Sequence, residues 1–154
     1  MTNGTLTVTV QPQNLETGTY NGAIKVSAAD AINSPILIPV VLHVGVPPVF
    51  TAAGVAHAAT ELRGAVSPGE LLAIYGSHLG PATLATAELD VQGHMAATLQ
   101  ETRVYFDGYP APLVYVWDKQ VSAVVPYEEA GRPTTEIQVE YRGLRSLRCP
   151  CRSR

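Results

Sequence analysis

Cysteine is nearly absent from this chain of 154 residues: the two present, Cys149 and Cys151, form a Cys-Pro-Cys run near the C-terminus. Up to that point there is no thiol, so neither a disulfide frame nor a thiolate metal knuckle can organise the fold. Lysine and glutamate, the usual fillers of surface helices, are scarce, while Val, Thr and Ala are common and 13 Gly and 12 Pro punctuate the chain. That usage disfavours helices and points to an all-β protein. Long apolar runs are missing too. The longest, Ile36-Leu-Ile-Pro-Val-Val-Leu42, is far below the roughly 20 residues that a membrane-spanning helix requires, which predicts a soluble chain without membrane insertion. The N-terminus, Met1-Thr-Asn-Gly-Thr-Leu-Thr-Val, lacks the charged and apolar regions of a signal peptide. Export would depend on a signal carried by a larger parent chain. Basic residues are also lacking up to residue 140, where five Lys/Arg face all thirteen Asp/Glu, a balance of −8. Nucleic-acid binding needs basic residues clustered on one folded face and is excluded on that ground.

What is present is strand grammar. The segments Leu6-Thr-Val-Thr-Val10 and Tyr20-Asn-Gly-Ala-Ile-Lys-Val-Ser27 alternate apolar and polar residues, as half-buried strands do. Residues 36–44 form an apolar strand in which Pro39, having no backbone donor, argues for an edge or a bulge. Gly45-Val-Pro-Pro48 reads as a stiff linker, because consecutive prolines favour extended backbone and stop a strand. Beyond it the spacing predicts strands over 55–59, 70–75, 102–106 and 135–141, with Ile137, Val139 and Tyr141 on one face. The clearest hairpin joins Ala111–Trp117 to Gln120–Val125 through Asp118-Lys119, and Asp107-Gly108 is a second strong turn. Residues 82–99 carry no decisive pattern. The last segment, 144–154, abandons the usage of the body: residues 141–154 carry five Arg and no acid, a balance of +5. With no alternation or helical stripe visible, the segment is expected to be an irregular basic tail. The composition shift favours an out-of-frame ending over a genuine basic arm.

Catalytic chemistry finds little to build on. His43, His57, His78 and His94 never fall at the spacings that place two imidazoles on one metal. Glu128 and Glu129 lie side by side in a loop after Pro126, where solvent is expected to keep both ionised, and Asp107 and Asp118 sit in turns, where Asp caps its own backbone. Ser77, between Gly76 and His78, lacks the strand-elbow-helix setting of a nucleophile, and Gly76-Ser-His-Leu-Gly80 lacks the Gly-Lys-Ser/Thr end of a phosphate loop. Neither a catalytic residue, a metal ligand nor a cofactor site is assigned. Aromatic side chains are the remaining candidates, since exposed rings can stack on sugar rings. They concentrate in residues 105–127, and Tyr109, Tyr115, Trp117 and Tyr127 are the candidate stacking residues. Alternation puts Tyr115 and Trp117 on one face and Val114 and Val116 on the other. A lone Trp in a β-sandwich is more often core than platform, so the indole is expected inside.

Residues 55–146 resemble the uncharacterised C-terminal domain that recurs at the ends of large exported proteins of soil acidobacteria. The resemblance rests on Ala65-Val-Ser-Pro-Gly-Glu-Leu-Leu-Ala-Ile-Tyr-Gly76, Leu79-Gly-Pro81, Val104-Tyr-Phe-Asp-Gly-Tyr-Pro-Ala-Pro-Leu113 and Val121-Ser-Ala-Val-Val-Pro-Tyr127. That family is similar to the IPT/TIG branch of immunoglobulin-like folds, whose recurring positions are held here by Val104, Phe106, Gly108, Ala111 and Val125-Pro126. Members continue past the Val139–Gly143 strand and turn into a further strand, where this chain runs into its Arg/Cys tail. Residues 4–44 resemble the last strands of BACON-like bacterial sandwich repeats, which implies earlier strands upstream. The resulting expectation is an all-β chain: a partial Ig/BACON-like sandwich at 1–45, a Pro-rich linker at 46–48, an IPT/TIG-like immunoglobulin-like β-sandwich at 49–143 and a tail at 144–154. Functionally the resemblance implies a noncatalytic spacer, adhesion or interaction module of an exported or cell-surface multidomain protein. Its partners would be other domains of the parent chain and a polysaccharide or protein surface, without a cofactor. Carbohydrate binding is the first alternative, and an accessory piece of an exported hydrolase the second. The uncovered face of residues 1–45 would also allow self-association, because an exposed edge can pair with its own copies.

Overall fold

The computed structural model describes residues 5, 7–12, 14–28, 32–87, 89 and 91–153. The chain is all-β, its one helical element being a short 3-10 turn, Tyr127–Glu129, among the described residues. It divides into two compact units, Met1–Gly45 and Val46–Arg154.

In the first unit, β1 (Gly18–Val26) and β2 (Ile36–Val44) form an antiparallel pair in unbroken register, from Gly18 opposite Val44 to Val26 opposite Ile36. Pro39, opposite Ala23, is tolerated because, among the described residues, neither strand has a second neighbour to which it must donate. Ile36, Leu37, Ile38 and Val41 remain exposed. Two strands alone bury too little to be independently stable. The strand expected over residues 6–10 is not formed among the described residues 7–10, and Leu6 lies outside the described residues. Alternation marks a strand only where a neighbour supplies the other half of the hydrogen-bond ladder, and residues 7–10 pair with no named strand.

The second unit is a two-sheet sandwich. One sheet has the order β3-β4-β9-β8-β5, built from β3 (Val49–His57), β4 (Leu71–Ser77), β5 (Ala85–Thr86), β8 (Leu113–Trp117) and β9 (Gln120–Val124). The other has the order β11-β10-β6-β7, from β6 (Thr102–Phe106), β7 (Tyr109–Pro110), β10 (Thr134–Tyr141) and β11 (Leu144–Arg145), with β12 (Cys149–Arg152) also paired to β10. All pairings between these strands are antiparallel. Leu72, Ile74, Val121 and Ala123 from the first sheet and Val104, Phe106, Ile137 and Val139 from the second join one buried cluster. Burial of those two inner faces against each other drives the fold. β3 begins six residues before the predicted start because a bulge between Phe50 and Val55 bends it. At Gly54, inside that bulge, a Cβ would overlap the Tyr75 carbonyl oxygen, so no other residue lets the strand pass so close.

The tail is not irregular. Arg142 and Gly143, both at positive φ (50° and 75°), turn β10 back into β11 with the handedness that matches strand twist. β12 then pairs from Arg152 opposite Thr134 to Cys149 opposite Ile137, burying Cys149 and Cys151 and leaving Pro150 and Arg152 outside. This alternation is hidden in the sequence because cysteine serves as the small apolar residue and proline as the outward one. Pro150 fits because, among the described residues, β10 is the one named strand paired with β12, and the bridge on the other side, Val66 to Ser153, lies beyond it. The charge asymmetry resolves in the same segment. Arg145 Nε lies 2.6 Å from Glu140 Oε2, Arg148 3.0 Å from Glu136 Oε2 and Arg142 3.3 Å from Glu101 Oε2, so the basic end neutralises carboxylates of its own sandwich.

Candidate functional site

The β8–β9 hairpin decides which aromatic side chains reach solvent. Its register slips between Leu113 and Tyr115: Leu113 faces Ala123, Tyr115 faces Ser122, Val116 faces Val121 and Trp117 faces Gln120. The extra residue turns both Leu113 and Val116 into the core, and Tyr115 and Trp117 lie on the outer face. Trp117 is therefore not a core residue. It is 39% exposed, and its Nε1 donates to the Ala82 carbonyl at 3.0 Å, which pins the indole edge.

Gln120 is opposite both Trp117 on β8 and Tyr75 on β4, so Tyr75, Gln120 and Trp117 form one row across three strands. With neighbouring strands about 4.8 Å apart, the two outer members stand roughly 10 Å from each other. Tyr75 is 41% exposed, close to the value for Trp117. The next row runs Ala56, Ala73, Ser122, Tyr115 and Thr86. Ala73 and Ser122 are buried there although they lie on the outer face, and the Ser122 hydroxyl donates to the Leu72 carbonyl at 3.0 Å. Small side chains at these positions make room for Tyr115, whose hydroxyl accepts from Gln120 Nε2 at 2.6 Å. Burial raises the Tyr115 phenol above its usual value and the neighbouring Tyr75 adds to this, against the opposing hydrogen bonds of Ser122 and Gln120. Tyr115 is thus a fixed support, and Tyr75 and Trp117 are the accessible rings.

Beside Tyr75 the β3 bulge opens a groove of about 330 Å³ lined by Ala53, Gly54, Ala56, Glu61, Arg63 and Tyr75. Its wall is shaped by a tight turn in which the His57 backbone N–H donates to Leu62 O and the Glu61 N–H to His57 O, both at 2.9 Å. At the other end of the row, the Gly76–Gly80 loop is clasped to the hairpin turn. Gly76 N–H donates to Lys119 O and Leu79 N–H to Asp118 O, each at 3.0 Å, and His78 N–H donates to Asp118 Oδ1 at 3.0 Å. A Cβ at Gly76 would overlap the Val49 carbonyl oxygen. The loop thus holds the Trp117 end of the row in place.

The four candidate aromatics do not converge. Tyr115 and Trp117 share the outer face just described, whereas Tyr109 belongs to the second sheet, with the Arg132 guanidinium 5.5 Å over its ring. Tyr127, 76% exposed, sits in the 3-10 turn beyond the far end of β9, its hydroxyl packed over Gly69, where a Cβ would come within 2.8 Å of it. Tyr75 lies outside those four. Alternation with Leu72 and Ile74 marks it as outward, but only the strand order places it beside Trp117.

The acidic residues take structural roles. Glu129 is fully buried, against the expectation of a solvated loop carboxylate, and neither oxygen has a hydrogen-bond partner among the described residues. The reason is that the 3-10 turn swings it inward. Asp107 and Asp118 do not cap their own turns but tie separate elements. Asp107 Oδ1 accepts from Glu136 N–H at 2.7 Å and its Oδ2 from Arg132 at 2.7 Å, and these hold its carboxyl below the usual range. The Lys119 ammonium, 2.9 Å from Asp118, and the His78 N–H lower Asp118 in the same way. His57 Nδ1 pairs with Glu70 Oε1, whose other oxygen accepts from Ser67 N–H at 2.9 Å, stapling the start of β4 to the end of β3. On the outside of the second sheet, Glu140 bridges Arg103 and Arg145, and Arg145 covers Tyr105 at 4.9 Å. Of the two outer faces, one is therefore ionic and internally paired, and the other is aromatic and uncharged along its central row. No family model matches the chain, and no curated protein matches it in sequence.

Proposed function

We propose that the chain is a noncatalytic interaction module of the immunoglobulin-like, IPT/TIG-type class, forming the C-terminal portion of a large exported or cell-surface multidomain protein. The observation that carries this reading is the row Tyr75–Gln120–Trp117, a rigid and solvent-facing aromatic strip on a sheet whose opposite face is core. Rings half out of water on a fixed sheet are costly to leave uncovered and gain most from a flat partner. The motifs at Ala65–Gly76 and Val104–Leu113 support the class, and the cross-strand ion pairs of Glu140 with Arg103 and Arg145 support a role as a rigid carrier.

The test is cosedimentation of the full chain with insoluble extracellular matrix from a soil acidobacterium. The intact chain is expected to pellet with the matrix, and the Tyr75→Ala/Trp117→Ala double variant to stay in solution with its circular dichroism unchanged. Equal retention of a folded double variant would remove the aromatic row from the interaction.

A further inference from the structure

We infer that the outer face of the β3-β4-β9-β8-β5 sheet is a binding site for an extended, neutral, β-linked polysaccharide. This rests on the reading of the chain as an interaction module and names the ligand class of that face. Three features select the ligand. Tyr75 and Trp117 are both about two-fifths exposed and stand two strand spacings, roughly 10 Å, apart, which suits a stiff chain laying alternate sugar rings on successive aromatic rings. Between them lies the Gln120 amide, one N–H of which is donated to the Tyr115 hydroxyl, so its second N–H and its carbonyl oxygen are the groups left to meet sugar hydroxyls. Third, the strip itself carries no charge. The ionic groups beside it, Glu61 and Arg63 in the groove at Tyr75 and the Asp118–Lys119 pair at the hairpin turn, balance each other in sign. A polyanion would find no excess of positive charge there, whereas a neutral polymer loses no counter-charge on docking.

Rigidity is part of the argument. The small residues under Tyr115, the indole hydrogen bond to Ala82 and the Gly76–Gly80 clasp set the strip before any ligand arrives. A preformed platform spends little ordering entropy on binding. The open groove at Tyr75 continues the strip past its first ring and offers Arg63 as donor and Glu61 as acceptor to a further sugar.

Trp117 is the only tryptophan of the chain, so its fluorescence reports this site alone. Titration of the full chain with cellohexaose should quench or blue-shift that emission, and native gels containing hydroxyethylcellulose or barley β-glucan should retard the chain. Trp117→Ala and Tyr75→Ala should each weaken retardation about tenfold or more, with Trp117→Phe intermediate, whereas Tyr109→Ala and Tyr127→Ala should migrate as the parent does. If Trp117→Ala fails to fold, Tyr75→Ala and Gln120→Ala, judged by the fluorescence of the retained indole, decide the matter. Retardation by alginate but not by the neutral glucans would overturn the ligand class. No response to any polysaccharide, with matrix retention still dependent on Tyr75 and Trp117, would overturn the polysaccharide site and leave the interaction module standing.

Discussion

The Cys-Pro-Cys strand gives the sharpest test of the fold, because its two thiols behave differently if the tail is a free appendage. Cys149 and Cys151 are 8% and 9% exposed on the inner side of β12. Burial pushes the Cys151 thiol up to about 11, and the neighbouring Cys149 adds to this; burial raises Cys149 as well. Against an ordinary 9.0, the thiolate fraction of Cys151 at pH 8 falls about a hundredfold. The higher basicity restores part of the rate, about tenfold, leaving a net slowing of roughly tenfold from ionisation before any steric shielding. The effect on stability has a definite sign. A thiol raised on folding holds its proton while the unfolded chain releases it, so stability is fully present below about pH 9, declines as pH rises and levels off above the folded value. The loss amounts to about 1–3 kcal/mol. Two measurements apply: the rate of reaction with Ellman's reagent at pH 8, folded and in guanidinium chloride, and urea unfolding from pH 7.5 to 10.5. The Cys149→Ala/Cys151→Ala variant serves as reference, since the difference removes every contribution that the two chains share. Native thiols reacting as fast as those of a short peptide, or identical pH profiles for parent and variant, would refute the placement of β12 in the sandwich.

Two further outcomes follow from the carboxylates. Glu129→Leu replaces a fully buried acid whose oxygens have no partner with an apolar side chain of similar volume, and is expected to raise stability by about 1–3 kcal/mol, read as a higher urea midpoint at unchanged slope. Asp107→Asn keeps a residue suited to the positive φ of 46° but weakens the bonds to Glu136 N–H and Arg132. Because the folded carboxyl is depressed, its contribution is present at neutral pH and is lost as pH falls through the folded value. The Asn variant should accordingly be about 1 kcal/mol less stable at pH 7 and show a shallower acid unfolding profile as pH falls through and below the ordinary carboxylate range.

The strands legible in the sequence are those whose inward residues are branched or aromatic and whose ends carry turn dipeptides. Residues 36–44 and the hairpin through Asp118-Lys119 meet both conditions, and the structure forms both. Thr7–Val10 meets the first but pairs with no named strand, which a local pattern cannot reveal. β12 fails both conditions and still forms, since a neighbouring β10 with an open edge and carboxylates to match supplies what local propensity withholds. Arg and Cys read as foreign to the body only while their partners Glu136, Glu140 and Ile137 are out of sight.

The aromatic strip shows a different limit. Alternation correctly separates Tyr115 and Trp117 from Val116, but the choice of which side faces the core depends on the hairpin register and on one slipped residue between Leu113 and Tyr115. A period of two fixes relative orientation and leaves the absolute side undetermined until a neighbouring strand is fixed. Val121 and Ala123 supply that neighbour: their burial draws Val116 and Leu113 inward and leaves the indole to water. Tyr75 then enters the same row because β4 lies on the other side of β9, a contact between residues far apart in the chain. The platform is a property of strand order, β4-β9-β8. A change that leaves every side chain of the row intact but shifts the β9 register, such as deletion of Lys119, should therefore abolish glucan retardation as completely as removing the rings.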